Sequence, residues 1–410
     1  MKRAASGAPR VAVVLAAGKG TRMRSALPKV LHAAAGRPLL AWVVDAARAA
    51  GCERILVVVG HGAEQVRATF AGEGAEGESS EHHGDLKDPA AGGSGGHRDD
   101  LAAGGSGSHR GDLAWVVQAE QRGTGHALAQ AARLIDGPAQ LLVLSGDVPL
   151  VTAATLERLL AAAAGGWGAM AVADLAAPGA LGRVIARAAG PAERAGGAAG
   201  GREGERPRAG GDAQPAELLE RIVEAADARP AELAVTLVNA GLYVLPAPEV
   251  FGYLAALAPA NAQGELYLTD ALNAAAAAGR RITLVRLADP HEALGVNDRR
   301  ELAAVHRRLL DRHLDGLMLA GVTVLEPART VAEATECVGP DTVLHPDVSL
   351  LGRTEIGSGC ELRQGAWVRD SRLGDGVTAS RLLPGGRAGS ARPLARPTSP
   401  GGDNFEEGEG

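Results

Sequence analysis

The chain has 410 residues, a formal net charge of −6 and an apolar fraction of 46%, enough for two domains with ordinary cores and too apolar for a disordered or fibrous chain. No basic block offsets the acidic balance, so nucleic acid is not an expected partner, because phosphate-backbone affinity rests on clustered Lys and Arg; polyanionic small molecules need only a few placed cations. No apolar run approaches the roughly 20 residues that span a bilayer, no signal-peptide pattern opens the chain, and three scattered cysteines (Cys52, Cys337, Cys360) form neither a disulfide framework nor a zinc knuckle, so no membrane association and a reducing cytoplasm are expected.

Along the chain, Val11 to Ala16 reads as a strand, followed by a Gly-rich turn and an apolar helix from Leu39 to Ala50. Further buried-strand runs are Arg54 to Val59, Ala114 to Gln118, Gln140 to Ser145, Ala169 to Ala173 and Ile282 to Arg286, with Ala- and Leu-rich helical segments between several of them. That alternation predicts an α/β domain over residues 10–290 with a mainly parallel sheet covered by helices. Two stretches break it. Residues 72–112 contain a 12-residue tandem duplication, Ala90-Ala-Gly-Gly-Ser94 recurring as Ala102-Ala-Gly-Gly-Ser106, and read as a disordered insertion too pliant to hold a metal with its histidines. Residues 188–214, rich in Gly, Ala, Arg and Glu, read as an expanded hairpin loop. A linker, 291–337, carries a helix over 299–319. From Val338 the apolar residues recur every six positions, through Leu344, Leu350, Ile356, Leu362 and Val368; this hexapeptide repeat predicts about two coils of a β-helix over 338–380. Residues 384–410 lose the period and are expected to be disordered.

The strongest chemical signal is Leu15-Ala-Ala-Gly-Lys-Gly-Thr-Arg-Met23 followed by Leu27-Pro-Lys29, directly after the first strand. Small residues there let backbone N–H groups approach a polyphosphate, and Arg22 and Lys29 supply the positive charge that phosphates require. A plain Gly-rich turn would not need those cations. Gln118 with the Gly123-Thr124-Gly125 turn offers an amide and exposed backbone groups suited to the edge of a base, although a Gly turn entering an Ala-rich helix also explains the glycines. Asp147 ends a buried strand, at the carboxyl edge of a parallel sheet where ligands bind, where a lone Asp is otherwise most often a helix cap.

Taken with Gln118-Ala-Glu-Gln-Arg-Gly-Thr-Gly-His126, Gly146-Asp-Val-Pro-Leu150, Asn239-Ala-Gly241, Asn261-Ala-Gln-Gly-Glu265, Tyr267-Leu-Thr-Asp270 and Gly295-Val-Asn297, these motifs give the chain, from residue 10 to about 380, a resemblance to the nucleotide-sugar pyrophosphorylases. It most resembles the bifunctional N-acetylglucosamine-1-phosphate uridylyltransferases/glucosamine-1-phosphate acetyltransferases. The resemblance implies a Rossmann-like nucleotidyltransferase domain, a truncated left-handed β-helix that forms homotrimers in the family, and transfer of uridylyl from UTP to N-acetylglucosamine 1-phosphate. It implies Mg2+ held by Asp147 and Asn297, with Arg22 and Lys29 as the catalytic cations. It implies substrate contacts at Leu15, Ala16, Ala17, Gly18, Lys29, Gln118, Gly123, Thr124, Ser145, Gly146 and Asp147, and also at Gly182, Glu224, Asn239 and Asn297. Two departures touch the sugar side: Leu181 stands where the family usually has Tyr, and Ala225-Ala226 stands where polar or basic residues are common. No histidine follows His345, so acetyltransferase activity is expected to be absent.

Overall fold

The computed structural model describes residues 8–71, 112–190, 217–257, 265–334, 337–380, 383–384 and 387–388. The expectations for the two insertions fall outside the described residues except at 112 and 188–190; so do 261–264, and the tail apart from residues 384, 387 and 388. The chain divides into two compact units, Met1–Leu31 with Leu40–Asn297, and His32–Leu39 with Asp298–Gly410.

The strands up to Arg286 are β1 (Arg10–Ala16), β2 (Ala33–Ala34), β3 (Arg37–Pro38), β4 (Arg54–Val59), β5 (Leu113–Val117), β6 (Ala139–Ser145), β7 (Gly168–Asp174), β8 (Arg183–Ala188), β9 (Glu217–Val223), β10 (Leu237–Ala247) and β11 (Ile282–Arg286). The first unit is built on a nine-stranded sheet in the order β5-β4-β1-β6-β10-β7-β11-β9-β8. Parallel ladders join β5, β4, β1 and β6, and likewise β7 and β11. Between them runs β10, antiparallel to both neighbours, and β8 and β9 close the edge as an antiparallel pair. The long β10 is absent from the strands expected from the sequence, because Asn239, Gly241 and Pro246 interrupt its apolar run and both Gly and Pro read as strand breakers.

Strand β1 shows why the sheet is double-faced. Ala12, Val14 and Ala16 enter one apolar cluster, Val11 and Val13 the other, as alternation on a pleated strand requires. Both faces are covered, so the strand is apolar throughout rather than alternating. The helix Ala153–Ala163 begins where the Thr152 hydroxyl accepts from Thr155 N–H at 3.3 Å, an N-cap that satisfies one of the otherwise unpaired first-turn donors.

In the second unit the helix Arg299–Leu319 is capped by Asp298, whose carboxylate accepts from the N–H groups of Arg300 and Glu301 at 2.8 and 2.9 Å. It ends at Gly321, whose φ of 97° suits only glycine. The β2–β3 hairpin belongs here too: Ala35 N–H donates to His306 Nδ1 at 3.1 Å. Three parallel sheets of four strands follow, in which β12 (Thr323–Val324), β13 (Val331–Ala332) and β14 (Cys337–Val338) form the first coil. The second coil is β15 (Val343–Leu344), β16 (Ser349–Leu351) and β17 (Glu355–Ile356), and the third β18 (Glu361–Leu362), β19 (Trp367–Arg369) and β20 (Arg372–Leu373). The fourth is β21 (Thr378–Ala379), β22 (Leu383–Pro384) and β23 (Arg387–Ala388).

The spacing from Val338 implies about two coils over 338–380; the structure has four, beginning at Thr323 inside the expected linker and extending to Ala388 inside the expected tail. The period is hidden at both ends, since Val324 and Ala332 are separated by an inserted turn at Pro327–Arg329 and Leu373 follows Val368 after five residues rather than six. Within the regular part Leu344, Leu350, Leu362 and Val368 are fully buried. A second inward stack lies two residues before each of them, at Thr342, Val348, Cys360 and Ala366. Its small and hydroxyl-bearing members do not read as an apolar period. Each buried hydroxyl bonds back to the coil, as Thr342 does to Gly357 O at 2.9 Å and Thr354 to Leu351 O at 2.7 Å, which removes the cost of burying it.

Leu350→Ala should lower the unfolding free energy by about 2–5 kcal/mol by opening a cavity between stacked coils, whereas Arg308→Ala, on the exposed face of the long helix, should change it by under about 0.5 kcal/mol. Urea denaturation followed by circular dichroism checks this; equal midpoints would contradict a packed coil interior.

Candidate active site

The carboxyl ends of β1, β4, β5 and β6 lie in register, with Ala16 opposite Val59, Val59 opposite Val117 and Leu15 opposite Ser145. The pairing continues one residue past the strands, because Gln118 N–H donates to Val59 O at 2.8 Å and Gly146 N–H to Leu15 O at 2.9 Å. The Gly-rich turn, Gln118 and Asp147 therefore share one sheet edge. There they line a cavity of about 460 Å3. Of the residues expected to bind substrate or catalyse, Leu15, Ala16, Ala17, Gly18, Arg22 and Lys29 line it from the first strand and its turn. Gln118, Gly123, Thr124, Ser145, Asp147 and Asn297 line it from the other walls. Gly146 sits just behind, and a side chain there would come within 3.2 Å of Ala16 Cβ and Leu15 O.

The turn after β1 is shaped by Gly20 at φ 61° and Arg24 at φ 48°, flanking a short 3-10 segment, Thr21–Met23. Burial of Met23 anchors it from below, leaving Arg22 exposed at the cavity. Lys29 opens a second 3-10 turn whose next two residues, Val30 and Leu31, are buried, so its side chain faces the opposite way. Its ammonium donates to Asp147 Oδ2 and, at 3.2 Å, to Asn297 Oδ1. The two oxygens are held together by Val296 N–H donating to Asp147 O at 2.9 Å. Farther back, the buried Glu292 carboxylate accepts from Thr152 N–H at 3.1 Å. A single positive centre thus already bridges one carboxylate and one amide oxygen. That donor set fits Mg2+, which takes few protein oxygens and completes its shell with phosphate and water. No group of three or more His, Cys, Asp or Glu side chains suited to a metal occurs among the described residues.

The wall that carries Gln118 is less simple than an open amide. Gln118 is buried, and its Nε2 donates to Gly123 O at 3.2 Å and lies 2.9 Å from His126 Nδ1. Gly123, at φ 100°, could not carry a side chain, which would meet Leu266 O at 2.5 Å. That close approach lets Gly125 N–H donate to Leu266 O and Leu266 N–H to Arg122 O, both at 2.8 Å, while Thr124 Oγ1 accepts from Leu268 N–H at 3.1 Å. The pairing brings Glu265 into the wall. Gln121, within the same run of sequence, lines the cavity and donates to Ala17 O at 2.7 Å, holding the Gly-rich turn. Neither Glu265 nor Gln121 is singled out by the sequence reading, although both lie inside its motifs; what marks them is contact with the turns rather than residue type.

Gly182, Glu224 and Asn239 do not line this cavity but form a group of their own. Asn239 N–H donates to Gly182 O at 2.9 Å, and a Cβ on Gly182 would lie 3.1 Å from Glu224 Oε2. The Asn239 side chain holds a bulge in β10, accepting from Gly241 N–H at 3.0 Å and pairing with the buried Tyr243 hydroxyl at 2.7 Å. Gly241, in the same bulge, approaches Ser145 so closely that a Cβ would be 3.1 Å from its Oγ, which joins this group to the cavity wall. Glu224 accepts from Thr269 Oγ1 at 2.9 Å. Burial raises its carboxyl pKa above the usual range; the Thr269 bond opposes this, and the negative charges of Asp270 and Asp227 reinforce it.

Because the folded pKa of Glu224 lies above the unfolded one, the unfolded chain gives up this proton first as pH rises, and stability falls through that window. Glu224→Gln should therefore raise the thermal midpoint at pH 7.5 and leave it little changed at pH 4.5. A calorimetric midpoint equally affected at both pH values would contradict a carboxyl strained by burial.

Residues 12–274 match the MobA-like NTP transferase domain. The chain is 38% identical over 369 residues to the bifunctional protein GlmU of Syntrophotalea carbinolica, covering 89% of this chain and 65% of that protein. It is 38% identical over 379 residues to that of Alkalilimnicola ehrlichii, covering 92% and 68%, and 38% identical over 365 residues to that of Geobacter metallireducens, covering 88% and 63%. It thus spans about two thirds of the length of these relatives. Among solved structures, UDP-glucose pyrophosphorylase complexed with UDP-glucose superposes with a TM-score of 0.50 at 16% identity, over 74% of this chain and 99% of that one, a likeness of fold. The chain belongs to the MobA-like NTP transferases and, among them, to the family of the bifunctional GlmU proteins.

Proposed function

We propose that the chain transfers the uridylyl group of UTP to N-acetylglucosamine 1-phosphate, giving UDP-N-acetylglucosamine, a precursor for peptidoglycan and lipopolysaccharide, and pyrophosphate. The observation that carries this reading is the cavity in which Lys29, Asp147 and Asn297 meet beneath a Gly-rich turn. A phosphate oxygen of the sugar phosphate attacks the α-phosphorus of UTP, a P–O bond forms, and the bond to the β-phosphate oxygen breaks. The attacking oxygen is already anionic, so no protein base is required and the work is positioning and charge stabilisation. Lys29 neutralises the α-phosphate and sugar phosphate, and Arg22 the departing pyrophosphate. The backbone N–H groups of the turn from Ala16 to Gly20 complete the cradle. Mg2+, held by Asp147 and Asn297, supplies charge neutralisation on the phosphate oxygens.

The Glu224, Asn239 and Gly182 group is the proposed sugar side, reached past Ser145 and Gly241. The β-helix is the proposed surface for a homotrimer. Acetyl transfer is assigned to no residue of this chain, in which no histidine follows His345. No helix among the described residues is long and apolar enough to cross a membrane, and the reaction proposed is one of the cytoplasm.

The test is pyrophosphate release from purified protein given UTP, Mg2+ and N-acetylglucosamine 1-phosphate, with glucose 1-phosphate and dTTP as comparison substrates. Release with the first set alone, abolished by EDTA and restored by Mg2+, is the expected result; release with the comparison substrates only would sink the reading. Lys29→Ala should lower kcat by about 10²–10³ while leaving the urea midpoint nearly unchanged, since a partly exposed ion pair contributes little to stability.

A further inference from the structure

Arg183 is buried, with 4% of its surface exposed, yet no carboxylate pairs with it among the described residues. Its guanidinium instead donates to three backbone carbonyls: Nη1 to Leu181 O, Nη2 to Gly179 O at 3.1 Å and Nε to Leu233 O at 3.4 Å. Burying a guanidinium without a counter-ion is costly, and those three oxygens are what offsets the cost. The first two belong to the loop between β7 and β8, residues 175–182; the third closes the short helix Pro230–Leu233 in the loop between β9 and β10. The β7–β8 loop is mostly exposed, at Ala176, Ala177, Gly179 and Ala180. Its turn, closed by Leu181 N–H on Pro178 O at 3.2 Å, passes through Gly179 at φ 56°. The register shows what that loop controls. Arg183 is paired antiparallel with Val223 of β9 and with Val238 of β10, so Gly182, one residue back, lies opposite Glu224 on one side and Asn239 on the other. The 2.9 Å bond from Asn239 N–H to Gly182 O and the 3.1 Å approach of a Gly182 Cβ to Glu224 Oε2 follow from that placement.

We infer that Arg183 is a positioning residue: by tying the β7–β8 loop to the β9–β10 loop it fixes Gly182 between Glu224 and Asn239, and so sets the affinity for the sugar phosphate while leaving nucleotide binding untouched. The nucleotide side is spared because neither residues 175–183 nor Leu233 line the cavity beneath the Gly-rich turn. Arg183 has no contact with the sugar in this account and acts only through the backbone around Gly182. Charge by itself does not substitute for it. A guanidinium presents its donors in a fixed planar fork that reaches carbonyls on two loops, whereas an ammonium carries all its donors on one atom. An apolar side chain would leave the carbonyls of Gly179 and Leu181 to turn toward water, and the loop with them. The inference rests on the reading that Gly182, Glu224 and Asn239 form the sugar side.

The experiment is steady-state pyrophosphate release by the wild type, Arg183→Lys and Arg183→Met, with thermal midpoints alongside. N-acetylglucosamine 1-phosphate is varied at saturating UTP, and UTP at saturating sugar phosphate. Both variants should raise KM for the sugar phosphate about tenfold, the worth of roughly one hydrogen bond to the sugar, with KM for UTP held within about twofold. Amide hydrogen exchange on the wild type gives a second readout. UDP-N-acetylglucosamine, the proposed product, should slow exchange at Leu181 and Leu233 together, because one guanidinium ties both loops. Arg183→Lys with the KM of the wild type overturns the proposal and leaves the enzyme reading intact, since charge would then suffice. So does an equal rise in both KM values, which marks general damage, or a lowered thermal midpoint with both KM values unchanged, which marks a purely structural role. Exchange slowed at one loop only, or at neither, overturns it as well, and decides the matter should both variants prove insoluble. A wild type that releases no pyrophosphate with these substrates removes the underlying reading, and this one with it.

Discussion

One contact orders the catalytic unit: the Lys29 ammonium against Asp147 and Asn297. These residues come from the turn after the first strand, the end of β6 and the segment that follows β11, so none can take its place until the middle of the sheet has formed. Each is aimed by a separate local device. Burial of Val30 and Leu31 turns Lys29 outward, the ladder bond from Gly146 to Leu15 fixes where β6 ends, and Val296 N–H on Asp147 O brings the last segment alongside. Positioning of this kind costs conformational entropy once, during folding, and none at the moment of reaction.

The same logic divides the polar atoms of the chain into those the fold consumes and those it leaves open. Inside the β-helix every buried hydroxyl described above bonds back to its own coil, and at the coil corners Glu333, Asp370 and Asp375 accept from the N–H groups of Gly352, Arg353 and Ser358 at 2.7, 2.9 and 2.8 Å. Those side chains hold successive turns together. Around the cavity Gln118 donates to Gly123 O, and the Gly-rich turn is held through Ala17 O by Gln121 while its residues line open space.

Much of the catalytic unit is legible in the sequence because parallel strands buried on both faces must be apolar throughout. Arg54–Val59 and Ile282–Arg286 have the bounds their composition implies, and the other expected strands differ by one residue at one end or at both. Where a bulge interrupts a strand the signal fails. Asn239 and Gly241 serve the bulge of β10, and Pro246 further breaks its apolar run, so a central strand looks like a loop. The β-helix fails differently: inward positions filled by Thr, Ala and Cys carry no apolar period, and an inserted turn at Pro327–Arg329 masks the first coil. The site residues were legible as types at sheet ends. Their division into a cavity group and the separate cluster of Gly182, Glu224 and Asn239 was not, since it depends on an antiparallel β10 that puts Asn239 at the same edge as Ser145.

That antiparallel strand also accounts for how two unlike environments coexist a few residues apart. On the parallel side, strand ends and turns present backbone N–H groups and cations, an environment that favours phosphate oxygens. At β10 and beyond it, Glu224 after β9, Asn239 and Tyr243 of β10 and Thr269 supply carboxylate, amide and hydroxyl groups, where Glu224 is held above the usual carboxylate range and burial pushes the Tyr243 phenol well above its ordinary value. A cluster of that kind repels a second anion and suits neutral hydroxyl or amide groups, which can both donate and accept. The two environments thus suit different chemical groups, phosphate on one side of β10 and neutral polar groups on the other. The reversal of one strand, rather than any single side chain, creates that polarity.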